Sequence, residues 1–462
     1  MEHVKVQDLV NATGGTLLAG NPNADVCKIR LDSRQVESGD LFVPIIGEKV
    51  DGHKFIDQVI EKGAAAVLTS EHDAAEQPEG FEAAWIRVED TKNALQDIGR
   101  YLRARLSLPL VGVTGSVGKT TTREMIAAAL SAKYRVYKTP GNSNSQVGVP
   151  ITISEISEQD EVGVIELGMS EPGELTIIAK IAKIDMAVIT NIGITHIEQL
   201  GSRENIYKEK MTIQDGLKSD GVLILNGDDD MLCNTKGKDG VKTIYYGTGA
   251  NCDFRAENID LTNGGARFTA VCGNDRQDVV LNVLGQHNVM NALAAMAVCS
   301  QCGMTMAEAA EGLKTFTGFK GRQQIHSGEK LTILDDSYNA SPASMKASLD
   351  VFKNIKPGMR HIAVLADMKE LGEKYLEYHY EVGEYAAGTG LDLVVTLGEA
   401  CHELAKGVKA KADIPVEEFL EKEKMVEYLD TIVKEGDCLL FKGSNSMGLS
   451  AVVSHFVEKA GI

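Results

Sequence analysis

The chain has 462 residues, a length that suits about three domains and several sizeable cores rather than one small module. Lys and Arg total 47 against 66 Asp and Glu, a formal net charge of -19, and no basic tract offsets that excess, which argues against general nucleic-acid or anionic-membrane binding. Hydrophobic residues make up 43% and charged residues 24%, so the whole chain is expected to fold as a globular protein.

Residues 1–104 open with a short helix pattern from Val6 to Asn11, continue as brief strands and turns, and end in a helix-then-strand unit, GHKFIDQVIEKGAAAVLTS. From Leu108 the pattern becomes an apolar strand (LPLVGVTG), a Gly-rich turn and a helix over about Lys119 to Ala132. Strands are then predicted near Val136, from Val162 to Glu166 and from Met186 to Thr190. Strands alternating with helices indicate a parallel sheet covered on both faces. Between about 220 and 285 shorter strands (VLILNGDD, TIYYG, ARFTAVCG, QDVVLNVLG) suggest a β-rich extension of the central domain, followed by the helix HNVMNALAAMAVCSQCG. Past Gly318 come the strand LTILDDS, a helix from Ser341 to Asn354, and the strands HIAVLAD, LDLVVTLG and CLLFKGS with intervening helices, a second doubly wound unit. The expected fold is therefore α/β with three domains: a small N-terminal α/β domain (1–104), a central P-loop parallel-sheet domain (105–318) and a C-terminal Rossmann-like domain (319–462). Short hinges near 105 and 318 should leave clefts between them.

No apolar run approaches the roughly 18 residues of a membrane span, and the start, MEHVKVQDLVNATGG, lacks a basic region followed by an apolar stretch, so the cytoplasm is the expected location, without membrane insertion. The eight Cys are dispersed; the close pair Cys299 and Cys302 has no second pair to complete a zinc site, and reduced structural thiols are expected.

The strongest local signal is Gly112-Val-Thr-Gly115-Ser-Val-Gly118-Lys119-Thr120-Thr121, between a predicted strand and a predicted helix. Glycines let backbone N–H groups approach a polyphosphate, the helix N-terminus favours negative charge, Lys119 can reach the β- and γ-phosphates, and the Thr120 hydroxyl suits Mg2+. The run reads G-x-x-G-x-x-G-K-T, not the commonest nucleotide-binding spacing. Glu166 ends one buried strand and His196 follows another, which places them at the carboxyl edge of the sheet beside this loop, where open α/β sheets bind ligands. A carboxylate and an imidazole there could hold a divalent ion or orient its ligands; their plain readings are a capping carboxylate and a loop histidine. An Asn-Lys-x-Asp guanine motif is absent, so ATP is expected. Of two Asp-rich clusters, Gly227-Asp-Asp-Asp230 reads as a solvated loop, while Asp335-Asp-Ser-Tyr-Asn339 could face nucleotide or cap a helix.

Together these segments resemble the Mur ligase family along essentially the whole chain. The resemblance is carried by TGSVGKTT (114–121), GNSNSQVGVP (141–150), IELGMSEPGEL (165–175), TNIGITHIEQLGSRENI (190–206) and LGQHNVMNALAA (284–295). In the last domain, DDSYNASP (335–342), LADMKELG (365–372) and KGSNSMGLS (442–450) are similar to the family member that adds D-alanyl-D-alanine to UDP-N-acetylmuramoyl-tripeptide; the D-N-P-R motif of the tripeptide-forming relative is absent. The resemblance implies an ATP-dependent amide ligase of peptidoglycan precursor synthesis, working through an acyl phosphate with Mg2+, in two ions, and monomeric by family default. It implies that Gly115, Ser116, Val117, Gly118, Lys119, Thr120 and Thr121 cradle ATP. Thr120, Glu166, His196 and Lys210 would hold metal, Lys210 as a carbamate, although the neighbouring Lys208 leaves that register open. Lys119, His196 and Lys210 are then the catalytic set. Asn288 and Asn291 match a region near the adenine, Arg322 the phosphate-reaching arginine, and Asp336 and Asn339 the nucleotide contacts of the last domain. Ser33, Arg34, Gly47, Asp51 and His53 resemble the uridine-nucleotide segment, and Asn144 completes the expected substrate contacts. The chain departs from the common pattern at Asn445, where relatives often carry Arg, at Ser450 for an acidic residue, at Ser145 for Asn and at Ala366 for Gly. The rival readings are another amide ligase of the superfamily, such as a Mur paralogue or a folylpolyglutamate synthase-like enzyme, and a nucleotide-dependent switch.

Overall fold

The alternation of strands and helices is realised as three sheets in the computed structural model, which describes residues 1, 3–262 and 264–462. The first sheet runs Thr16–Ala19, Ala84–Arg87, Ala66–Thr69, Leu41–Phe42, Ile29–Arg30, antiparallel only in its first pairing. The helix Thr91–Arg105 follows, its start fixed by the Asp90 carboxylate accepting from Asn93 N at 2.7 Å. Its apolar face (Ala94, Leu95, Ile98, Leu102) is buried against the second domain. Gly99 approaches so closely that a Cβ there would stand 2.9 Å from Pro150 Cβ. Buried Arg103 donates to the carbonyls of Ala182 at 2.7 Å and Lys183 at 2.9 Å. Those last-turn carbonyls satisfy an otherwise costly buried guanidinium. The cleft expected near 105 is thus filled: side chains of the first two domains share one apolar core.

The second sheet has nine strands, in the order Asp275–Leu281, Ala266–Cys272, Phe254–Asp260, Lys242–Gly247, Val222–Asn226, Met186–Ile189, Leu110–Thr114, Val162–Glu166, Val136–Lys138. Leu110–Thr114 is buried along its length, and the chain crosses to one side of it and then to the other, so the crevice beyond its carboxyl end is the switch point of the sheet. The segment expected as a β-rich extension continues this same sheet: Val222–Asn226 pairs parallel to Met186–Ile189, and the last two pairings are antiparallel. Parallel pairing suits VLILN because a strand buried on both faces needs a continuous apolar run, not an alternating one. On one face, helix Gln286–Gln301 packs its buried Ala292 to Val298 run on helix Lys119–Leu130.

The third sheet runs Gln324–Ser327, Thr332–Asp336, Cys438–Lys442, His361–Ala366, Leu393–Leu397, Val416–Phe419, parallel after its first pair. The helix read from Ser341 spans Pro342–Phe352, with Ser341 as its cap. Between the second and third domains the chain passes through Gly318 (φ 104°) and Gly321 (φ 70°), left-handed values that glycine adopts without steric cost. Here the expected cleft persists as a cavity lined by both domains. No helix among the described residues is long and apolar enough to cross a membrane, and the eight Cys are free thiols.

Candidate functional site

The Gly-rich loop closes the carboxyl end of Leu110–Thr114, and helix Lys119–Leu130 begins directly after Gly118, whose φ of 87° makes the turn. The first intrahelical bond runs from Thr122 N to Gly118 O, leaving the N–H groups of Lys119, Thr120 and Thr121 without an intrahelical acceptor. Free donors and the positive end of the helix dipole make this an anion site. Ser116 and Val117, expected to donate to phosphate, instead donate their backbone N–H groups to Asn191, to its carbonyl at 3.1 Å and its Oδ1 at 3.0 Å. Val117 O accepts from Thr190 Oγ1 at 2.6 Å and Asn191 Nδ2 at 2.9 Å. These ties hold the loop open. A Cβ on Gly115 would fall 1.8 Å from Thr190 Oγ1, so this position admits only glycine.

A cavity of about 840 Å3 extends from this loop to the third domain. Lys119, Thr120, Glu166, His196, Arg322 and Asp336 all line it, brought together from two domains. Thr120 Oγ1 donates to Glu166 Oε2 at 2.9 Å, so a hydroxyl and a carboxylate stand side by side as hard oxygen donors, the chemistry Mg2+ takes. Asn144, expected to touch substrate, donates Nδ2 to Glu166 Oε1 at 2.7 Å and so also orients that carboxylate. Lys119 Nζ donates to Gly115 O at 2.9 Å; burial lowers its pKa, with Glu166 opposing and Arg322 adding to the shift. Arg322 lies over the Tyr338 ring, 4.2 Å from its centre, and its buried Nε has no partner among the described residues. An unsatisfied guanidinium facing a cavity fits an anionic ligand.

Other expected residues are placed differently. Lys210 is 1% exposed while Lys208 is exposed. Lys210 does not line the cavity. It is buried close enough to Lys119 that burial, then that like charge, push its amine well below the usual lysine range, Glu209 opposing. Asn288 and Asn291 line the cavity, but their amides are spent internally: Asn288 Nδ2 on Leu284 O at 2.7 Å, Asn291 Nδ2 on Asn288 Oδ1 at 3.2 Å, and Asn291 Oδ1 on Thr122 Oγ1 at 2.9 Å. The bond from Thr122 joins the two helices, while the other two stay within helix Gln286–Gln301 and its lead-in. Asp336 accepts from Lys442 Nζ at 2.6 Å, Gln323 N at 3.2 Å and the Ser348 hydroxyl, so much of its acceptor capacity is used within the third domain. Asn339 caps Ala340 N with its Oδ1 at 2.9 Å.

In the first domain none of Ser33, Arg34, Gly47, Asp51 and His53 reaches this cavity. Arg34 is 84% exposed in its side chain and pairs with Asp32 at 2.7 Å. That pair holds the Asp32 carboxyl down to about 2. His53 has both ring nitrogens occupied, by Asp51 Oδ1 at 2.7 Å and Ser70 N at 3.1 Å, and acts there as an internal bracket. Gly47 N donates to Val50 O at 3.0 Å in a turn.

The Asp-rich run is the solvated turn expected, with Asp228 and Asp230 exposed, and its carboxylates also tie neighbouring segments together. Asp229 accepts from Ile192 N at 2.8 Å, Asp228 from Thr248 N at 2.7 Å, and Asp230 from Arg203 Nη1 at 2.7 Å, while Arg203 Nε donates to Ile192 O at 2.8 Å. Sequence reading also missed Asn191 and Glu370. Asn191 follows the strand Met186–Ile189, an edge position that signals a site. Glu370 carries no local signal: its carboxylate meets His196 Nδ1 at 2.6 Å across the interdomain cleft, a contact that lowers its pKa against the opposing effect of burial. Beside it lies a second cavity of about 330 Å3, lined by Lys369, Glu370, Ser444 and Asn445 among others. Thr195, Asn339, Ala340 and Ser341 line both.

Family models match in the same order as the three sheets: Mur ligase family, catalytic domain, over residues 26–103; Mur ligase middle domain over 113–299; and Mur ligase, glutamate ligase domain, over 321–445. The UDP-N-acetylmuramoyl-tripeptide–D-alanyl-D-alanine ligase of Bacillus subtilis (strain 168) is 37% identical over 459 residues, 98% of each chain. The chain belongs to the Mur ligase family. The ligase of the same name from Escherichia coli (strain K12) is 33% identical over 99% of each chain. Among solved structures, MurF from Acinetobacter baumannii superposes with a TM-score of 0.88 at 29% identity, covering 98% of both chains. MurF from Thermotoga maritima in complex with ADP gives 0.82 at 29% identity, over 94% of this chain and 98% of that one. Membership makes this an amide ligase of the ATP-dependent type, with three α/β domains.

Proposed function

We propose that this Mur ligase joins D-alanyl-D-alanine to the terminal carboxylate of UDP-N-acetylmuramoyl-tripeptide, using ATP, in the cytoplasmic synthesis of peptidoglycan precursor. The observation that carries the reading is the pair of adjoining cavities: one ends on the phosphate loop, the other lies between the second and third domains, and they share four lining residues. Two substrates held there would meet at the shared wall.

ATP phosphates take the larger cavity, against the free N–H groups of Lys119, Thr120 and Thr121, the Lys119 ammonium and the Arg322 guanidinium. Thr120 and Glu166 are the residues that would hold Mg2+, with His196 for a second ion; Lys210, which does not line the cavity, would join that ion only as a carbamate. The metal supplies charge neutralisation on the phosphates. Lys210 suits carbamylation because a neutral amine adds to CO2 with loss of a proton, and burial favours the neutral amine.

A carboxylate is a poor acyl donor because oxide would have to leave. Its oxygen therefore attacks the γ-phosphorus and releases ADP, with Lys119 and Arg322 stabilising the charge that develops. The dipeptide amine attacks the resulting acyl phosphate, a tetrahedral intermediate collapses, and phosphate leaves with formation of the amide. Lys369 lines the smaller cavity with its ammonium 2.9 Å from Asp367 Oδ2, and the dipeptide carboxylate would share that ammonium with Asp367; an arginine, where this chain carries Asn445, would suit the same carboxylate. Residues 1–104 bind the UDP end of the first substrate, 105–318 the nucleotide, and 319–462 the acceptor. Closure of the cleft over the hinge excludes water, which would otherwise hydrolyse the acyl phosphate.

The test is phosphate release from Mg-ATP with UDP-N-acetylmuramoyl-tripeptide, with and without D-alanyl-D-alanine, the product identified by mass. Release that requires both substrates and yields the pentapeptide is expected. ATP turnover indifferent to the dipeptide, with no new amide, would refute the proposal in favour of a paralogue or a switch.

A further inference from the structure

Arg123 lies one helical turn beyond the phosphate loop and is 0% exposed. Its Nη1 donates to Gly141 O at 2.8 Å and to Glu166 Oε2 at 3.2 Å, and its Nη2 to Glu124 Oε1 at 2.6 Å. Glu124 in turn accepts from Lys138. On the far side the guanidinium carbon stands 5.6 Å from the centre of the Phe319 ring. Phe319 is part of the hinge, between Gly318 and Gly321, and its carbonyl accepts from Arg322 N at 3.0 Å.

One side chain therefore touches the metal-site carboxylate, the phosphate-loop helix, the 141 loop and the hinge. A buried charge pair is weak as a stabilising device, because desolvating both ions offsets most of their attraction. Its value lies in geometry. Glu166 is 1% exposed, and its oxygens are fixed separately, Oε1 by Asn144 and Oε2 by Thr120 and Arg123. A planar fork with one tooth on Glu166 and the other on Glu124 has a single orientation, and the Phe319 ring sets its plane. Lysine at 123, a point charge, could not span both carboxylates in this way.

We propose that Arg123 is a positioning residue: it presents Glu166 for the divalent cation of the nucleotide site and, through Phe319, ties that carboxylate to the hinge on which the third domain turns. Partners that orient a metal-binding carboxylate typically change metal affinity or activity by about 10- to 100-fold when removed. The proposal rests on the nucleotide–metal reading of the larger cavity.

The experiment measures ADP binding by calorimetry with and without Mg2+, on the full-length protein. Wild type should bind ADP more tightly with Mg2+. Arg123→Met should lose most of that enhancement, with the half-saturating Mg2+ concentration raised about 10- to 100-fold, while metal-free ADP binding stays at the wild-type level. Arg123→Lys, which retains the buried charge and guards against misfolding of the Met variant, should fall between them. Phe319→Leu should shift Mg2+ dependence in the same direction with Arg123 intact. Wild-type Mg2+ dependence in Arg123→Lys and in folded Arg123→Met, or equal loss of metal-free and Mg-dependent binding, would overturn the positioning role; wild-type behaviour of Phe319→Leu would overturn the link to the hinge. Absence of any Mg2+ enhancement in wild type would instead overturn the nucleotide–metal reading itself.

Discussion

Replacement of Lys442 by Met should destabilise the third domain by about 3–5 kcal/mol, the cost of leaving a buried carboxylate without its ionic partner. Lys442 and Asp336 occupy facing positions on the parallel strands Cys438–Lys442 and Thr332–Asp336, and both are buried. The ammonium lies 2.6 Å from Asp336 Oδ2 and donates also to Asn339 O at 3.0 Å. Methionine keeps the apolar stem and removes only the charge, so little of the loss is packing. Asp336 then keeps one backbone N–H and the Ser348 hydroxyl, too few for a carboxylate out of water. Adding Asp336→Asn removes the stranded charge, and the double variant should recover at least 2 kcal/mol relative to Lys442→Met alone. Urea unfolding followed by far-ultraviolet circular dichroism, with hydrogen exchange of residues 332–336 to localise the change, measures both. A Lys442→Met cost below about 1 kcal/mol, the level of an exposed pair, would refute the reasoning, as would a double variant whose losses simply add.

Lys369→Met should raise the KM for D-alanyl-D-alanine at least tenfold with the KM for ATP unchanged, in steady-state phosphate release, because Lys369 lines only the smaller cavity; an effect confined to ATP would place the dipeptide elsewhere. Lys210→Ala should reduce turnover at least a hundredfold, and added short-chain carboxylate should restore part of it if a carbamate is what the wild type uses. His379 predicts a pH dependence. Burial lowers its pKa below 6.5, against the Tyr375 carbonyl that accepts from Nδ1 at 2.6 Å and the neighbouring Asp367, while Lys369 adds to the lowering. The unfolded state therefore binds more protons between the folded pKa and 6.5, and stability is full above 6.5 and falls as pH drops through that window. Protonation of Nε2 would also set it against Met368 N–H, which it accepts at 3.0 Å. The melting temperature of wild type should drop below pH 6.5 more steeply than that of His379→Gln; parallel profiles would refute this.

Lys119, Thr120 and Glu166 were legible in the sequence because each is fixed by its own element. A Gly-Lys-Thr run after an apolar strand must start a helix at the sheet edge, and a carboxylate ending a buried strand must emerge at that same edge. The polar residues beyond them are governed by pairings across long separations. Asn291 looks like a free amide on a helix face, and it is the approach of Thr122, 169 residues away, that occupies its oxygen. The aspartates at 228–230 form the hydrated turn their sequence suggests, and only the fold shows that Arg203 and Ile192 N are tied to it. Arg123 reads as one more helix residue; its burial follows from the 141 loop and Phe319 closing over it.

The contact between His196 and Glu370 shows the same limit from the side of the backbone. Each has φ of 63°, in the left-handed region, although neither is glycine or asparagine. A bulky residue there costs about 1–2 kcal/mol, so the surrounding structure must over-determine both positions. It does so on the two sides of the cleft. His196 O accepts from Gln199 N at 3.2 Å and Leu200 N at 3.1 Å, starting the short helix Ile197–Leu200, while Gly372, two residues after Glu370, has Glu198 Cα 3.6 Å from where its Cβ would be. The strained turns thus interlock: the helix that forces His196 into the left-handed region is also the surface on which the Glu370 turn rests. The conformation of His196 is held inside the second domain by that helix, so it points the imidazole across the cleft whether or not Glu370 is there to meet it. The imidazole, which lines the larger cavity, and the carboxylate, which lines the smaller, therefore meet beside the wall that the two cavities share.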